Sequence, residues 1–346
     1  MTAKELAKLL GLSETSVSFA LNDKPGVSEK TRALVKKAAQ EHGMSIISGR
    51  SGKGDGIIHV IQYSSMRLDL NSIESNTFRA TLDGIEFTST EHGYRSIIHT
   101  VMGIEALKKE IQVLEHEHAS GILILGFILT DIEFEVLSFT SIPVVVIDAH
   151  FTSTKLDCIE LNNKEAAFLA TNYLIHKRAC QPGYIGTTVR TYDFDQRKDG
   201  FYDALRYHMM TKSKSIVHEI SMASIDGIEE EFLDIIDSKE EIAASYFAEN
   251  DMMAIGAMRA FKKRGYRIPE DISIIGFDDI TLSSYVDPPL TSIHIPRHYI
   301  GRIAVNRLIE RMTTHDHYAI NIHINGYLAK RGSVAPLPGK NQQPQP

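Results

Sequence analysis

No stretch of this 346-residue chain approaches the ~20 consecutive apolar residues that a membrane-spanning helix needs. The longest apolar run, around Ile142 to Ile147, has the length of a buried strand. Cysteine is almost absent. Cys158 and Cys180 are far from any Cys-x-x-C spacing, so they read as reduced, structural thiols. The opening residues Met1-Thr2-Ala3-Lys4-Glu5 lack the apolar core and cleavage site of a secretory leader, and the protein is expected in the cytoplasm. There is no Gly-x-Ser-x-Gly elbow or other nucleophile signature. Asp193 and Asp195, beside Arg197, are a carboxylate pair of a kind common in polar loops and do not specify a glycosidase. In His116-Glu117-His118 and His315-Asp316-His317 the histidines are two residues apart, and such side chains diverge on a helix. No enzyme activity, cofactor or metal is expected.

What is present is unevenly spread. The net charge is −7, which alone argues against a nucleic-acid partner. Yet residues 1–53 carry nine Lys or Arg against five acids, so a +4 head precedes a −11 body. A basic end on an acidic body suits contact with phosphate through that end only.

Three short helices are expected in the head. Thr2 can cap the first, which runs to about Leu9 with Leu6, Ala7 and Leu10 at helical spacing. Gly11 supplies a turn that needs positive φ. Ser13 caps a second helix, Glu14 to Leu21, with Val17, Ala20 and Leu21 apolar. After Asn22-Asp23-Lys24-Pro25-Gly26, Ser28 opens a third helix to Glu41, closed by Gly43, with a stripe of Ala33, Leu34, Lys37 and Ala38. Two helices joined by a tight glycine turn, with small Ala7 opposite, form a helix-turn-helix pattern. A small helical bundle used for protein contacts fits the same spacing.

From Gly56 onward strand-like and helix-like segments alternate. Strands are read at Ile57 to Gln62, Arg95 to Thr100, Gly121 to Leu125, Pro143 to Ile147, Gly183 to Gly186, Ser245 to Ala248 and Ile272 to Phe277. Helices fall between them, among them Thr77 to His92, Lys164 to His176, Arg197 to His208 and Asp251 to Arg264. Such alternation means parallel sheets covered on both faces. About 280 residues exceed one such sheet, so two doubly wound lobes are expected. Ligands of these folds bind outside the carboxyl ends of the strands.

The head resembles the DNA-binding head-piece of the lactose repressor (LacI/GalR) family. The resemblance rests on Glu5-Leu6-Ala7, Leu12-Ser13-Glu14-Thr15-Ser16-Val17-Ser18, Leu21-Asn22 and Lys24-Pro25-Gly26-Val27-Ser28-Glu29-Lys30-Thr31-Arg32. It continues to about residue 336 through Ile142-Pro143-Val144-Val145-Val146-Ile147-Asp148, Arg197 to Phe201, Phe247 to Ala257, Ile268 to Asp279 and Pro288 to Ile293. It implies an all-α helix-turn-helix head-piece on an α/β core like the periplasmic sugar-binding proteins, with a cleft between two doubly wound lobes joined by three crossings. The divisions expected are residues 1–44 for the head-piece, 45–56 for a Gly-rich hinge, and 57–336 for the two-lobe effector and dimerisation domain. Within it the N-lobe takes about 57–160 and 293–321, and the C-lobe about 161–292 and 322–336. A disordered tail covers 337–346; it has no leucine heptads, so a dimer rather than a tetramer is expected, matching a palindromic operator.

By that resemblance Glu14, Thr15 and Phe19 read bases in the major groove, while Thr2, Ser13, Ser16, Ser18, Asn22, Ser28 and Thr31 hold phosphates. Phe19 replaces the polar residue, often arginine, usual at its position. A phenyl ring can touch a thymine methyl but cannot make a bidentate bond to guanine, so a different base preference is expected there. The hinge has no leucine to wedge into the minor groove and carries four glycines, each costing a helix about 1 kcal/mol relative to alanine. A tether touching phosphate through Arg50 and Lys53 is expected, with Ile46 or Ile47 as a substitute wedge the other reading. The Gly49 to Gly54 stretch has no Ser or Thr after its lysine and precedes a strand, so it is no phosphate-binding loop.

In the cleft, the resemblance implies Asn250 and Asp278 as acceptors and donors to ligand hydroxyls, Arg197 as a fork of donors, Phe78 as a stacking ring and Asp148 as a further contact. Each has a plainer role open to it: Asn250 as a helix cap, Phe78 as core, Arg197 as an ion-pair partner, Asp278 as part of a polar turn. The function expected is a repressor of a carbohydrate-utilisation operon that binds double-stranded operator DNA as a homodimer, gated by a sugar or sugar phosphate. Two alternatives stay open: a catabolite-control-type regulator whose co-effector is a phosphoprotein, and a sugar-binding protein with no DNA role.

Overall fold

The structure is a computed structural model that describes residues 3–21, 26–41, 56–64, 73–126, 129, 131–151, 156–221, 224–314 and 318–335. Three helices, α1 (Ala3–Leu10), α2 (Glu14–Leu21) and α3 (Glu29–Glu41), make up the head. Gly11 sits at φ +65°, and the Leu12 amide donates back to the Ala7 carbonyl at 3.0 Å, so the glycine turn closes α1 as its composition requires. The Ser16 amide donates to Ser13 Oγ (3.0 Å) and the Thr31 amide to Ser28 Oγ (3.1 Å), which makes both serines N-caps. Leu6, Ala7, Val17, Ala20, Val35, Ala38 and Ala39 form the head's core. The stripe expected on α3 is one residue out: Leu34 is 52% exposed and Val35 is buried. The adjacent apolar pairs Leu34-Val35 and Ala38-Ala39 let two neighbouring faces compete, and packing on α1 and α2 chose the one with Val35.

The body begins with a parallel sheet: β1 (Ile57–Ser64), α4 (Ile73–Glu91), β2 (Arg95–Met102), α5 (Ile104–His116), β3 (Gly121–Gly126), α6 (Asp131–Ser138), β4 (Val144–Ile147) and β5 (Asp157–Leu161). The chain then builds α7 (Asn163–Arg178), β6 (Gly183–Thr187), α8 (Tyr192–Tyr207), β7 (Val217–Ile220), α9 (Ile225–Asp237), β8 (Ser245–Ala248), α10 (Asp251–Lys263), β9 (Ser273–Asp278) and β10 (Thr291–His294). It returns through α11 (Arg297–Thr313) and β11 (Asn321–Ile324) to the first sheet, and ends with β12 (Tyr327–Ala329) in the second. The strand orders are β11-β5-β4-β3-β1-β2 and β12-β10-β9-β8-β6-β7. Among the described residues only β12 runs antiparallel, against β10. These are two doubly wound lobes.

The chain crosses between sheets near residues 162, 295–296 and 325–326. The divisions expected at 160/161, 292/293 and 321/322 fall inside strands, because pairing carries β5 to Leu161, β10 to His294 and β11 to Ile324. Two crossings are tied together by Asn162 Nδ2 donating to Asn325 Oδ1 at 3.0 Å. One core face of the first lobe is closed by α4 and α11. They approach so nearly that a Cβ on Gly84 would lie 2.1 Å from the His298 carbonyl oxygen, and one on Gly301 2.2 Å from that of Thr81. This contact fixes the first turn of α11 against α4, and both become walls of the cleft.

Candidate functional sites at the head-piece and the cleft

On α2, Val17 and Ala20 face the head's core, and at 100° per residue Thr15, Ser18 and Phe19 fall on the opposite side, with Glu14 at its flank. Glu14 and Thr15 are exposed, Ser18 and Phe19 half-buried. The Phe19 ring leans on the turn after α2, where a Cβ on Gly26 would come within 3.2 Å of it, and the Phe19 carbonyl accepts from Arg32 at 3.3 Å. Beside this face stand the two caps: Ser13 and Ser16 hydroxyls are 2.8 Å apart, as are those of Ser28 and Thr31. A row of hydroxyls flanking an exposed helix face can donate to phosphates while the helix lies in a groove. Thr2, Asn22, residues 45–55 of the hinge, the His315-Asp316-His317 pair and the tail lie outside the described residues.

The second site is the cleft. Asp148 follows β4, Asp278 ends β9, and both are held at positive φ (57° and 102°), as is Asp279 (53°). Left-handed backbone at these three residues, beyond two strand ends, costs about 1–3 kcal/mol each. Between them stands Arg297, the first residue of α11. One of its terminal nitrogens lies 3.1 Å from Asp278 Oδ1 and the other 3.7 Å from Asp148 Oδ2, so one guanidinium at a crossing bridges both lobes. Arg297 was not among the residues expected from the sequence.

Arg197 is 4% exposed, and its donors are taken by protein. Nε donates to Asn163 Oδ1 (2.8 Å), one terminal nitrogen to the Glu249 carbonyl (2.6 Å), and the other lies 3.7 Å from Asp278. Its guanidinium lies 3.8 Å from the centre of the Phe277 ring. It organises Asp278 rather than lining open space. Asn250 uses its oxygen to cap α10 through the Met253 amide (2.9 Å). Phe78 is half-buried and packs on the large core shared by the lobes. Of the five residues expected in the cleft, Asp278 alone lines its cavity, a space of about 920 Å³ walled by Arg79 and Ala80 of α4, Ile225, Met252, residues 278–282 and residues 294–299.

Deeper in the cleft lies an acidic group. Asn163 Nδ2 donates to Asp193 Oδ1 at 3.0 Å. Burial, reinforced by Asp148, pushes the Asp193 carboxyl up to about 7, against the pull of Arg197. Burial likewise raises Asp148, opposed by Arg297 and Arg197, and raises Glu160, opposed by His150 and His323. His150, which follows β4, stacks on Tyr192 at the start of α8 with ring centres 4.1 Å apart, a second contact between the lobes. On the far side Asp279 pairs with His294 (2.8 Å) and Arg331 (2.6 Å). Glu249 is fully buried, bonded to Tyr184, Arg190 and the Thr187 amide, and supports the strand ends from behind.

Comparison with known proteins is consistent across the chain. Residues 2–45 match the family model described as bacterial regulatory proteins, lacI family, and residues 171–334 match a periplasmic binding protein-like domain. The HTH-type transcriptional repressor PurR of Vibrio atlanticus is 30% identical over 345 residues, covering 97% of this chain and 99% of the relative. Among solved structures, the lac repressor dimer bound to operator and an anti-inducer superposes with a TM-score of 0.69 at 22% identity, covering 97% of this chain and 99% of that one. A complex of the transcriptional regulator CelR with cellobiose superposes with a TM-score of 0.66 at 22% identity, covering 96% and 99%. Among the described residues no helix is long and apolar enough to cross a membrane.

Proposed function

The chain belongs to the lacI family of bacterial regulatory proteins, and on that premise we propose that it represses a carbohydrate-utilisation operon and is gated by a sugar or sugar phosphate bound between its lobes. It is a DNA-binding transcription regulator. The observation that carries the gated reading is the bridge from Asp148 through Arg297 to Asp278, which puts the relative position of the lobes under the control of whatever enters the cleft. A ligand that prefers one lobe arrangement shifts the population by its difference in affinity for the two, and that difference is what reaches the operator.

Glu14, Thr15 and Phe19 are the proposed base readers, with Ser13, Ser16, Ser18, Ser28 and Thr31 on phosphates; Thr2 and Asn22 are proposed for phosphates from the resemblance alone. In the cleft, Asp278 is the direct contact, Arg197 and Asp148 act with it, and Asn250 offers its amide nitrogen beside its capping role. Phe78 remains a candidate for the cavity's edge, one residue before Arg79 of the lining. A homodimer is proposed, and the exposed Ile97, Ile98 and Met102 of edge strand β2 offer an apolar surface for it.

Selection from random duplexes with the full-length protein tests the DNA half. A two-fold symmetric site bound at least about a thousandfold more tightly than random duplex, with affinity falling steeply with salt, is expected. Binding that is equally tight on every duplex would sink the assignment.

A further inference from the structure

The proposed effector reading leaves the charge of the ligand open, and the cavity decides it. Two carboxylates reach the lining, Asp278 and Asp279, and each already has basic neighbours. Asp278 meets Arg297 and Arg197, and Asp279 meets His294 and Arg331. The lining arginines have donors to spare. Arg297 is 13% exposed, its approach to Asp148 is beyond hydrogen-bond length at 3.7 Å, and a guanidinium has five N–H groups to place. Arg79 projects from α4 into the same space, is exposed, and has no carboxylate partner among the described residues. His298 stands on the same wall as Arg297. The seventeen-residue α11 begins there too, with Pro296 giving no side-chain cap and no acid in its first turn, so the positive end of the helix opens on this wall.

From these donors, gathered on one wall of the cavity, we infer that the effector carries an anionic group, a phosphate or carboxylate, seated between Arg297 and Arg79. This rests on the effector reading above. An anion needs donors, and planar guanidinium takes phosphate or carboxylate through paired N–H bonds. It also competes with Asp148 and Asp278 for Arg297, so binding redistributes the contact that spans the lobes. Arg297 is thus both the specificity-determining residue and the link from ligand charge to lobe position. A hydroxylated part of the ligand would extend toward Thr281 and the rim at Tyr299.

The test uses full-length protein and matched pairs: ribose and ribose 5-phosphate, glucose and glucose 6-phosphate, glucose and gluconate, with inorganic phosphate as the bare anion. Thermal stabilisation and calorimetric titration read binding, and operator affinity is followed in parallel. Stabilisation by an anionic member and not by its neutral parent, weakened by salt, is expected. Arg297→Gln should lower that affinity by roughly tenfold or more, since it removes a charged hydrogen-bond pair. Arg79→Gln, at an exposed position where folding is not at stake, should lower it several-fold. A neutral parent that binds as tightly as its anion, or an anion whose affinity is untouched by both substitutions, overturns the inference while leaving the cleft as effector site. If no member of either kind binds, the inference falls as well; if ligands bind without moving operator affinity, gating fails and the charge assignment stands.

Discussion

The head-piece and the cleft are built on opposite plans. The head carries out its role with neighbours in sequence: Ser13 caps the helix it precedes, Gly11 turns the chain beside it, and the exposed face of α2 is set by the spacing of Val17 and Ala20. The cleft is assembled from residues far apart in the chain. Asp148, Arg197, Asp278 and Arg297 come from four segments and two lobes, and each is held by the others. The first can be altered one residue at a time; the second is a network in which each change leaves a charge behind.

Breaking the head should have the largest effect. Val17→Asp puts an unpaired carboxylate into a core of seven small side chains, more than that core can hold, so specific operator affinity should fall by about a thousandfold or more while the lobes melt as before. Gel-shift and melting profiles together check this, and a variant that still selects its operator would show that the head's core does not depend on Val17. Next, Asp278→Ala leaves Arg197 and Arg297 without their shared acceptor. Unfolding in urea should show a loss of about 3 kcal/mol or more confined to the lobes, together with loss of the effector response. An unchanged midpoint would mean that the network is not coupled.

Phe19→Arg sharpens the contrast from the other side. It should move one operator position from thymine toward guanine by about 1–3 kcal/mol without affecting the lobes. Selected sites from the two proteins decide it, and identical preferences would remove Phe19 from the groove. The smallest effect concerns pH. Asp193 is pushed up to about 7 in the folded protein, so the protonated form is favoured by folding. That contribution is complete below about pH 4 and is lost as pH rises through about 7. Asp193→Asn keeps the oxygen that accepts from Asn163 and cannot ionise. Its melting temperature should therefore overtake the wild type's progressively from about pH 4 to about pH 7 and hold a constant lead above. A gap independent of pH would contradict this.

The same contrast governs what was legible beforehand. Caps, the glycine turn and alternation of strand and helix are local signals, and they placed α2, β8 and the two-lobe architecture. The error on α3 arose where the adjacent pairs Leu34-Val35 and Ala38-Ala39 offered two neighbouring faces, so tertiary packing decided. β7 (Val-His-Glu-Ile) and β11 (Asn-Ile-His-Ile) went unread because short strands carrying polar residues give no clear period. Arg297 was missed because its importance lies in two aspartates distant in sequence. A faint signal was present: Pro296-Arg297 opens a helix where an acid is the usual choice, with Ile300 and Gly301 in place of an i+3 or i+4 partner. Arg197 and Asn250 were found by family resemblance, but their bonds to Asn163, the Glu249 carbonyl and the Met253 amide could be seen only in the folded chain.

Coupling between the two plans is the centre of the account, and it can be measured directly. Operator affinity of the full-length protein, titrated at fixed salt with the sugar phosphate or sugar acid that most stabilises it, should change by about 5- to 150-fold, and the operator should change the ligand's affinity by the same factor. Saturating ligand that leaves operator affinity where it was would separate head from cleft and contradict the account.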